Sequence, residues 1–237
     1  MPALRRIGHK GADLIVPGNT PASFDAALAH GVDMIEFDVL PHEGRLLLAH
    51  DYGHVDGAPT LEDGLAHLAS SAFDGIELDV DLKLPGYEER AVDALREHGL
   101  IERSLVSSNW MRSLVTIRAI EPRLRLGWSV PRLKNDPTTA WVTKLPAYAG
   151  AAYLRAKLPT LVRGHMAAGR CDALMAHWRL VSPRLVRAVR ESGGELYVWT
   201  VDEAPRIGRL ERLGVTGVIT NDPRLFAQLP SAQVAAE

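Results

Sequence analysis

The chain holds a single cysteine, Cys171, so it can form no intrachain disulfide, and that residue stands in no Cys/His spacing typical of a structural zinc site. Its expected role is that of a small buried hydrophobe. No run of 18 uncharged apolar residues occurs, and Arg5 and Arg6 are followed by no apolar signal core, so neither a membrane span nor a leader is read here. Excess charge of one sign is also missing. Lys plus Arg number 27 against 29 Asp plus Glu, a net of -2, which leaves no broad basic footprint for nucleic acid. The sequence contains no Ser/Gly linker, no low-complexity tract and no repeat of 20–50 residues. These absences point to a soluble, cytoplasmic chain acting on a small molecule, with its oligomeric state left open.

What is present is an ordinary globular composition, 46% hydrophobic and 24% charged, with enough apolar material for one large core. Short β-rich runs alternate with amphipathic stretches along the whole length. Strands are expected at Leu4–His9, Asp33–Val39, Ile76–Lys83, Ser104–Ser108, Leu124–Ser129, Asp172–His177, Glu195–Thr200 and Thr216–Thr220. Helices are expected at Thr20–His30, Glu88–His98, Arg184–Glu191 and Glu203–Leu213, and one or two more with loops between Pro131 and Arg170. Asn19 or Thr20 offers a cap before Pro21, while Gly99, Gly193 and Gly214 stand where helices should stop. Eight βα units in about 250 residues are the arithmetic of a (β/α)8 TIM barrel. The fold read from the sequence is therefore a single α/β barrel domain over residues 1–237, with a short insertion after the second strand. There Glu43-Gly44 turns the chain back and delivers His50-Asp51.

Reactive groups in such barrels gather at the C-terminal ends of the strands. The unusual polar residues fall there: His9 after the first strand, Glu36 and Asp38 in the second, Asp81 and Lys83 in the third, His177 and Trp199 on later ones. Alternation along a strand puts Glu36 and Asp38 on one face, and Glu77, Asp79, Asp81 and Lys83 on the face opposite Ile76, Leu78, Val80 and Leu82. Carboxylates aimed into a closed barrel need cations. A divalent ion bound by Glu36, Asp38 and Asp81 satisfies that need, and hard oxygen ligands suit Mg2+ or Ca2+. Asp79 competes with Asp81 as a ligand, Lys83 can serve as a counter-ion to Asp81, and Trp128, Trp178 and Trp199 read as packing residues first.

The ordered motifs His9-Lys10-Gly11, Pro17-Gly18-Asn19-Thr20, Ser23-Phe24, Ile35-Glu36-Phe37-Asp38-Val39 and His50-Asp51 resemble those of the glycerophosphodiester phosphodiesterase family. The series continues through Pro59-Thr60-Leu61-Glu62, Asp81-Leu82-Lys83, Ser107-Ser108, Val198-Trp199-Thr200-Val201 and Gly217 to Pro223, so the resemblance covers most of the chain. It implies a metal-dependent phosphodiesterase that releases an alcohol and glycerol 3-phosphate. Glu36, Asp38 and Asp81 would hold the metal, Mg2+ with Ca2+ or Mn2+ as alternatives, and His9 and His50 would be general acid and base. It further implies that Lys10 and Lys83 face the phosphate and that Trp199 lines the substrate pocket. The chain departs from the family pattern at Lys10 for arginine, Gly18 for glutamate and Asp81 for glutamate. If that arginine and glutamate pair with each other, their joint loss is coherent. Two other activities fit the same residues: a phospholipase D-like hydrolase of lysophospholipids, or a non-catalytic barrel that binds a phosphate head group.

Overall fold

The computed structural model describes residues 3–131 and 144–229. Among these residues nine strands and seven α-helices are found. The first half comprises β1 (Arg5–Gly8), α1 (Pro21–Ala29), β2 (Met34–His42), β3 (Arg45–Leu47), α2 (Leu61–Leu68), β4 (Glu77–Leu82), α3 (Glu88–Glu97), β5 (Ser104–Ser108) and α4 (Met111–Ile120). The second half comprises β6 (Arg125–Val130), α5 (Lys144–Ala167), β7 (Ala173–His177), α6 (Pro183–Glu191), β8 (Glu195–Trp199), α7 (Ala204–Leu213) and β9 (Gly217–Thr220). All strands but β3 pair in parallel, and β1 pairs with both β2 and β9, so the sheet closes into an eight-stranded barrel. All eight expected strands are found, within a few residues of their expected limits.

Alternation along the strands sorts the side chains into two populations. Ile35, Phe37, Val39, Leu78, Val80 and Leu82 are buried between sheet and helices, where they join Phe24, Leu65, Val92 and Leu95 in the main core. The opposite faces fill the barrel. Its N-terminal floor is an ion-pair network in which Arg5 lies 2.8 Å from Glu77 and donates to the Tyr197 hydroxyl at 2.7 Å, while Arg125 pairs with Glu77 and Glu195. Above it lies an apolar layer of Ile7, Met34, Leu105, Met175, Tyr197 and Ile219. A Cβ added at Gly127 would come within 2.9 Å of Leu105 and 3.0 Å of Met175, so glycine lets this layer fill the bore. Only the C-terminal end of the barrel is left for polar chemistry.

Local signals explain the elements that frame that end. The Glu43-Gly44 turn has φ values of 45° and 75°, and it pairs His42 with Arg45, Pro41 with Leu46 and Leu40 with Leu47. This extends β2 past Val39, its expected limit, and out of the barrel. Thr20, not Asn19, caps α1: its hydroxyl accepts from the Ser23 amide, and the Ser23 hydroxyl reciprocates at the Thr20 amide. Asn19 is turned to φ 58° and is free for another task. Two helices not read from the sequence, α2 and α4, complete the ring. The stretch from Pro131 to Arg170 yields the one helix α5, with residues 132–143 lying outside the described ones. No helix among the described residues is long and apolar enough to cross a membrane. Cys171 is buried, as expected.

Candidate active site

The register of β2 against β4 sets Glu36 opposite Asp79 and Asp38 opposite Asp81. Both strands turn these acids inward, and near the rim one oxygen each from Glu36, Asp38 and Asp81 falls within 4.8 Å of the others. Asp79, the competing ligand, is outside that group. It sits one step deeper, next to Ser107, with its Oδ1 buried and lacking a hydrogen-bond partner. Lys83 extends over the cluster, its Nζ 2.6 Å from Asp38 Oδ1 and 2.7 Å from Asp81 Oδ2. It is thus a counter-ion to two of the three acids rather than to Asp81 alone.

Each carboxylate is held by groups from a neighbouring loop. The Lys10 amide donates to Glu36 Oε2 at 2.8 Å. Asn19 grips Asp38 twice: its Nδ2 donates to Asp38 Oδ2 at 2.9 Å, and its Oδ1 accepts from the Asp38 amide at 3.0 Å. His50, brought back by the β2–β3 hairpin, sets Nδ1 3.2 Å from Asp38 Oδ2. On the other side, His9 Nε2 lies 3.8 Å from Glu36 Oε2, and His9 Nδ1 is 2.5 Å from Asn221 Oδ1. The two expected histidines therefore flank the acid cluster, one beside Glu36 and one beside Asp38.

Electrostatics follow from burial and crowding. Burial, with Asp38 and Asp79 close by, pushes the Glu36 carboxyl well above its ordinary range. Burial works the same way on Asp38, but the Lys83 ammonium and the two histidines outweigh it and hold Asp38 well below. Asp79 is pushed up to about 8, chiefly by burial. Burial opposes the charge on Lys83, yet Asp38 and Asp81 raise its pKa above the ordinary lysine value. Burial lowers the pKa of His9. Four acids thus share one ammonium in a confined space, and Asp38 Oδ1, for all its closeness to Lys83, has no aligned hydrogen bond. A confined set of hard oxygen donors, in which burial and crowding of the acids hold Glu36 and Asp79 up, fits a divalent cation. Glu36, Asp38 and Asp81 can hold it.

The remaining expected residues lie around this centre. Lys10 turns its ammonium to Asp13 at 3.3 Å, not to the acid cluster, and lines a cleft of about 450 Å³ with Asp13, Gly18, Asn19, His50 and His54. Asp13 also accepts from the Gly18 amide at 2.9 Å, and a Cβ at residue 18 would lie only 2.5 Å from its Oδ1. The Asp13 carboxylate therefore occupies the space that a side chain at position 18 would enter. Trp199, at the end of β8, meets His177 edge-on with ring centroids 5.3 Å apart, and its buried Nε1 has no hydrogen-bond partner among the described residues. Asn19, Asp13, Asn221 and Asp202 were not singled out from the sequence as site residues. Asn19 and Asn221 each stand inside a quoted motif, Asn221 also just past a strand end, and these are the only signals they carry.

The fold and the acid-lined rim place the chain among (β/α)8 barrels that carry their chemistry on the loops after the strands. Comparison narrows the class. The model of the glycerophosphoryl diester phosphodiesterase family matches residues 54–225, well over half of the chain, including Asp81, Lys83 and Trp199. The chain belongs to that family. It is 27% identical to a glycerophosphodiester phosphodiesterase of Caldanaerobacter subterraneus over 260 residues, covering 94% of this chain and 96% of the relative. Among solved structures, a glycerophosphodiester phosphodiesterase from Agrobacterium tumefaciens shares the fold with a TM-score of 0.68 and 21% identity, over 95% of this chain and 98% of that one. A phosphodiesterase from Oleispira antarctica, solved in complex with the product sn-glycerol-3-phosphate, gives a TM-score of 0.68 at 20% identity, over 94% and 95% of the two chains.

Proposed function

We propose that this protein is a metal-dependent phosphodiesterase that hydrolyses glycerophosphodiesters to an alcohol and glycerol 3-phosphate. One observation carries the reading: Glu36, Asp38 and Asp81 converge within 4.8 Å between two histidines, His9 3.8 Å from Glu36 and His50 3.2 Å from Asp38. Family membership and the glycerol 3-phosphate bound to the Oleispira antarctica relative support the substrate class. Mg2+ is the proposed ion, with Ca2+ and Mn2+ as the alternatives to test.

In this scheme a divalent ion held by Glu36, Asp38 and Asp81 supplies positive charge to the phosphoryl oxygens. The chain supplies the rest. Lys83, fixed between Asp38 and Asp81, presents a second cation at the same rim. His9 and His50, on either side of the cluster, take a proton from the attacking oxygen and return one to the departing alkoxide. Lys10 and Trp199 bound the substrate pocket, Lys10 from the side of the cleft that also holds His50.

Replacing His9 or His50 with alanine tests the reading. Loss of a general acid or base should lower kcat on glycerophosphoethanolamine by about 10²–10⁴-fold, with the fold intact by circular dichroism. Near-normal turnover in both variants contradicts it. A second reading, hydrolysis of lysophospholipids, draws on two exposed apolar side chains at the mouth: Leu14, 60% exposed, whose amide bonds to Asn221, and Tyr52, 56% exposed, just past His50. Long-chain substrates outperforming glycerophosphocholine would favour it.

A further inference from the structure

His9 is the only proposed proton-transfer group whose ring is tied to a side chain outside the acid cluster. Its Nδ1 lies 2.5 Å from Asn221 Oδ1. The amide of Asn221 cannot be turned the other way, because its Nδ2 donates to Asp202 Oδ2 at 2.7 Å, and an ionised carboxylate only accepts. Asp202 is itself fixed. Its Oδ1 accepts from the Asn221 amide at 2.9 Å and from the Thr220 hydroxyl at 2.9 Å, and Thr220 is fully buried at the end of β9. The backbone closes the loop, with the His9 amide donating to Thr220 O at 2.8 Å. Three loops of the rim, those following β1, β8 and β9, are thereby locked to one imidazole.

We propose that Asn221 and Asp202 are positioning residues for His9: Asp202 orients the Asn221 amide, and that amide fixes the hydrogen of neutral His9 on Nδ1. The Nε2 lone pair is then left facing the reaction site beside Glu36. Neither residue touches the acid cluster or the substrate cleft. Both act through His9, as an orienting group acts in a catalytic triad, but with a neutral amide in contact with the ring. The consequence for catalysis rests on the reading of His9 as a proton-transfer group. The tautomer itself does not.

The test combines kinetics with ¹⁵N NMR of the imidazole. In the native protein the His9 Nδ1 should carry the hydrogen and Nε2 should not. Asn221→Leu and Asp202→Ala should lower kcat by about 10–100-fold, the usual cost of losing such a supporting contact, with KM for glycerophosphoethanolamine nearly unchanged. In both, the two His9 nitrogen signals should move toward each other as the tautomers mix. Asn221→Asp alone sets two carboxylates face to face and should also lose kcat. Adding Asp202→Asn restores a donor–acceptor pair with the roles exchanged, and the double variant should recover most of the loss.

Wild-type kcat and unchanged His9 nitrogen signals in Asn221→Leu and Asp202→Ala would overturn the proposal, as would a double variant no better than its singles. His9→Ala separates the two levels. If it is inactive, the reading of His9 stands and the variants decide the positioning role. If it stays active, that reading fails, and the nitrogen signals of Asp202→Ala still decide whether the tautomer depends on Asp202.

Discussion

Asn19 holds Asp38 from two directions, donating to its carboxylate at 2.9 Å and accepting from its amide at 3.0 Å. The clasp fixes both the strand and the side chain of the one candidate ligand that is fully buried. Asn19 can do this because it adopts φ 58°, a conformation asparagine tolerates better than most residues.

Removing the clasp should therefore weaken metal binding more than folding. Asn19→Gly keeps the backbone conformation accessible and deletes the amide. The metal concentration for half-maximal turnover should rise by about 10–100-fold, as for other groups that orient a ligand, with a small change in Tm. An unchanged metal requirement would show that Asp38 needs no such support.

Lys83 is the counter-ion of the acid cluster, so its loss should be felt first when metal is absent. In Lys83→Met with EDTA present, Asp38 and Asp81 are left unneutralised, and stability should fall by about 3–5 kcal/mol, the usual cost of breaking a buried pair. Added Mg2+ should raise the Tm of the variant by more than it raises that of the native protein. Equal Tm values for the two proteins in EDTA would contradict this account of Lys83.

Gly18 and Asp13 occupy shared space. A Cβ at residue 18 would lie 2.5 Å from Asp13 Oδ1 and 2.7 Å from the Lys10 Cβ. Gly18→Ala should cost about 1–3 kcal/mol through overpacking. In an Asp13→Gly background the same change should cost less, a non-additivity that urea denaturation of the four proteins will measure. Additive losses would mean that the two positions do not compete.

Cys171 is 2% exposed, and burial pushes its thiol up to about 12. Since the thiolate is the reactive form, a disulfide reagent at pH 8 should label the native protein very slowly and the guanidinium-unfolded protein at once. The same shift gives a sign for stability. The native thiol keeps its proton while the unfolded one loses it near its ordinary value, so unfolding becomes easier as pH rises between the two. Rapid labelling of the native protein would place Cys171 at the surface.

Much of the barrel was legible because alternation and turn chemistry act locally. Ser104–Ser108 is found with both limits as expected, and the Glu43-Gly44 hairpin turns where its residues say it should. Of the missed helices only α2 carries a start signal, the Thr60/Asp63 capping box, and its interior glycine obscures it. The α4 helix follows Trp110 without a side-chain cap and carries Val115, Thr116 and Ile117 in sequence, while α2 contains Gly64. That glycine is required by packing, since a Cβ there would lie 2.5 Å from Leu48 Cδ1.

In the site, the acids on β2 and β4 could be read from their alternation, and Lys83 from its place after Asp81. Asn19 was absorbed into a capping signal that Thr20 fulfils. The contact of Asp202 with Asn221 joins two loops across the rim, and such a contact leaves no spacing in the sequence. Asp13 was hidden for the same reason, since its meeting with Gly18 depends on how the loop after β1 folds back.

The most direct test of the central claim is turnover of glycerophosphoethanolamine by metal-stripped protein as Mg2+, Ca2+ or Mn2+ is restored, with glycerol 3-phosphate as the measured product, in the native chain and in Glu36→Gln. The account predicts no product in EDTA, product restored by metal in the native chain, and little or none at any metal concentration in Glu36→Gln. Full turnover in EDTA, or a Glu36→Gln variant with the native metal response, would contradict a metal-dependent phosphodiesterase centred on Glu36, Asp38 and Asp81.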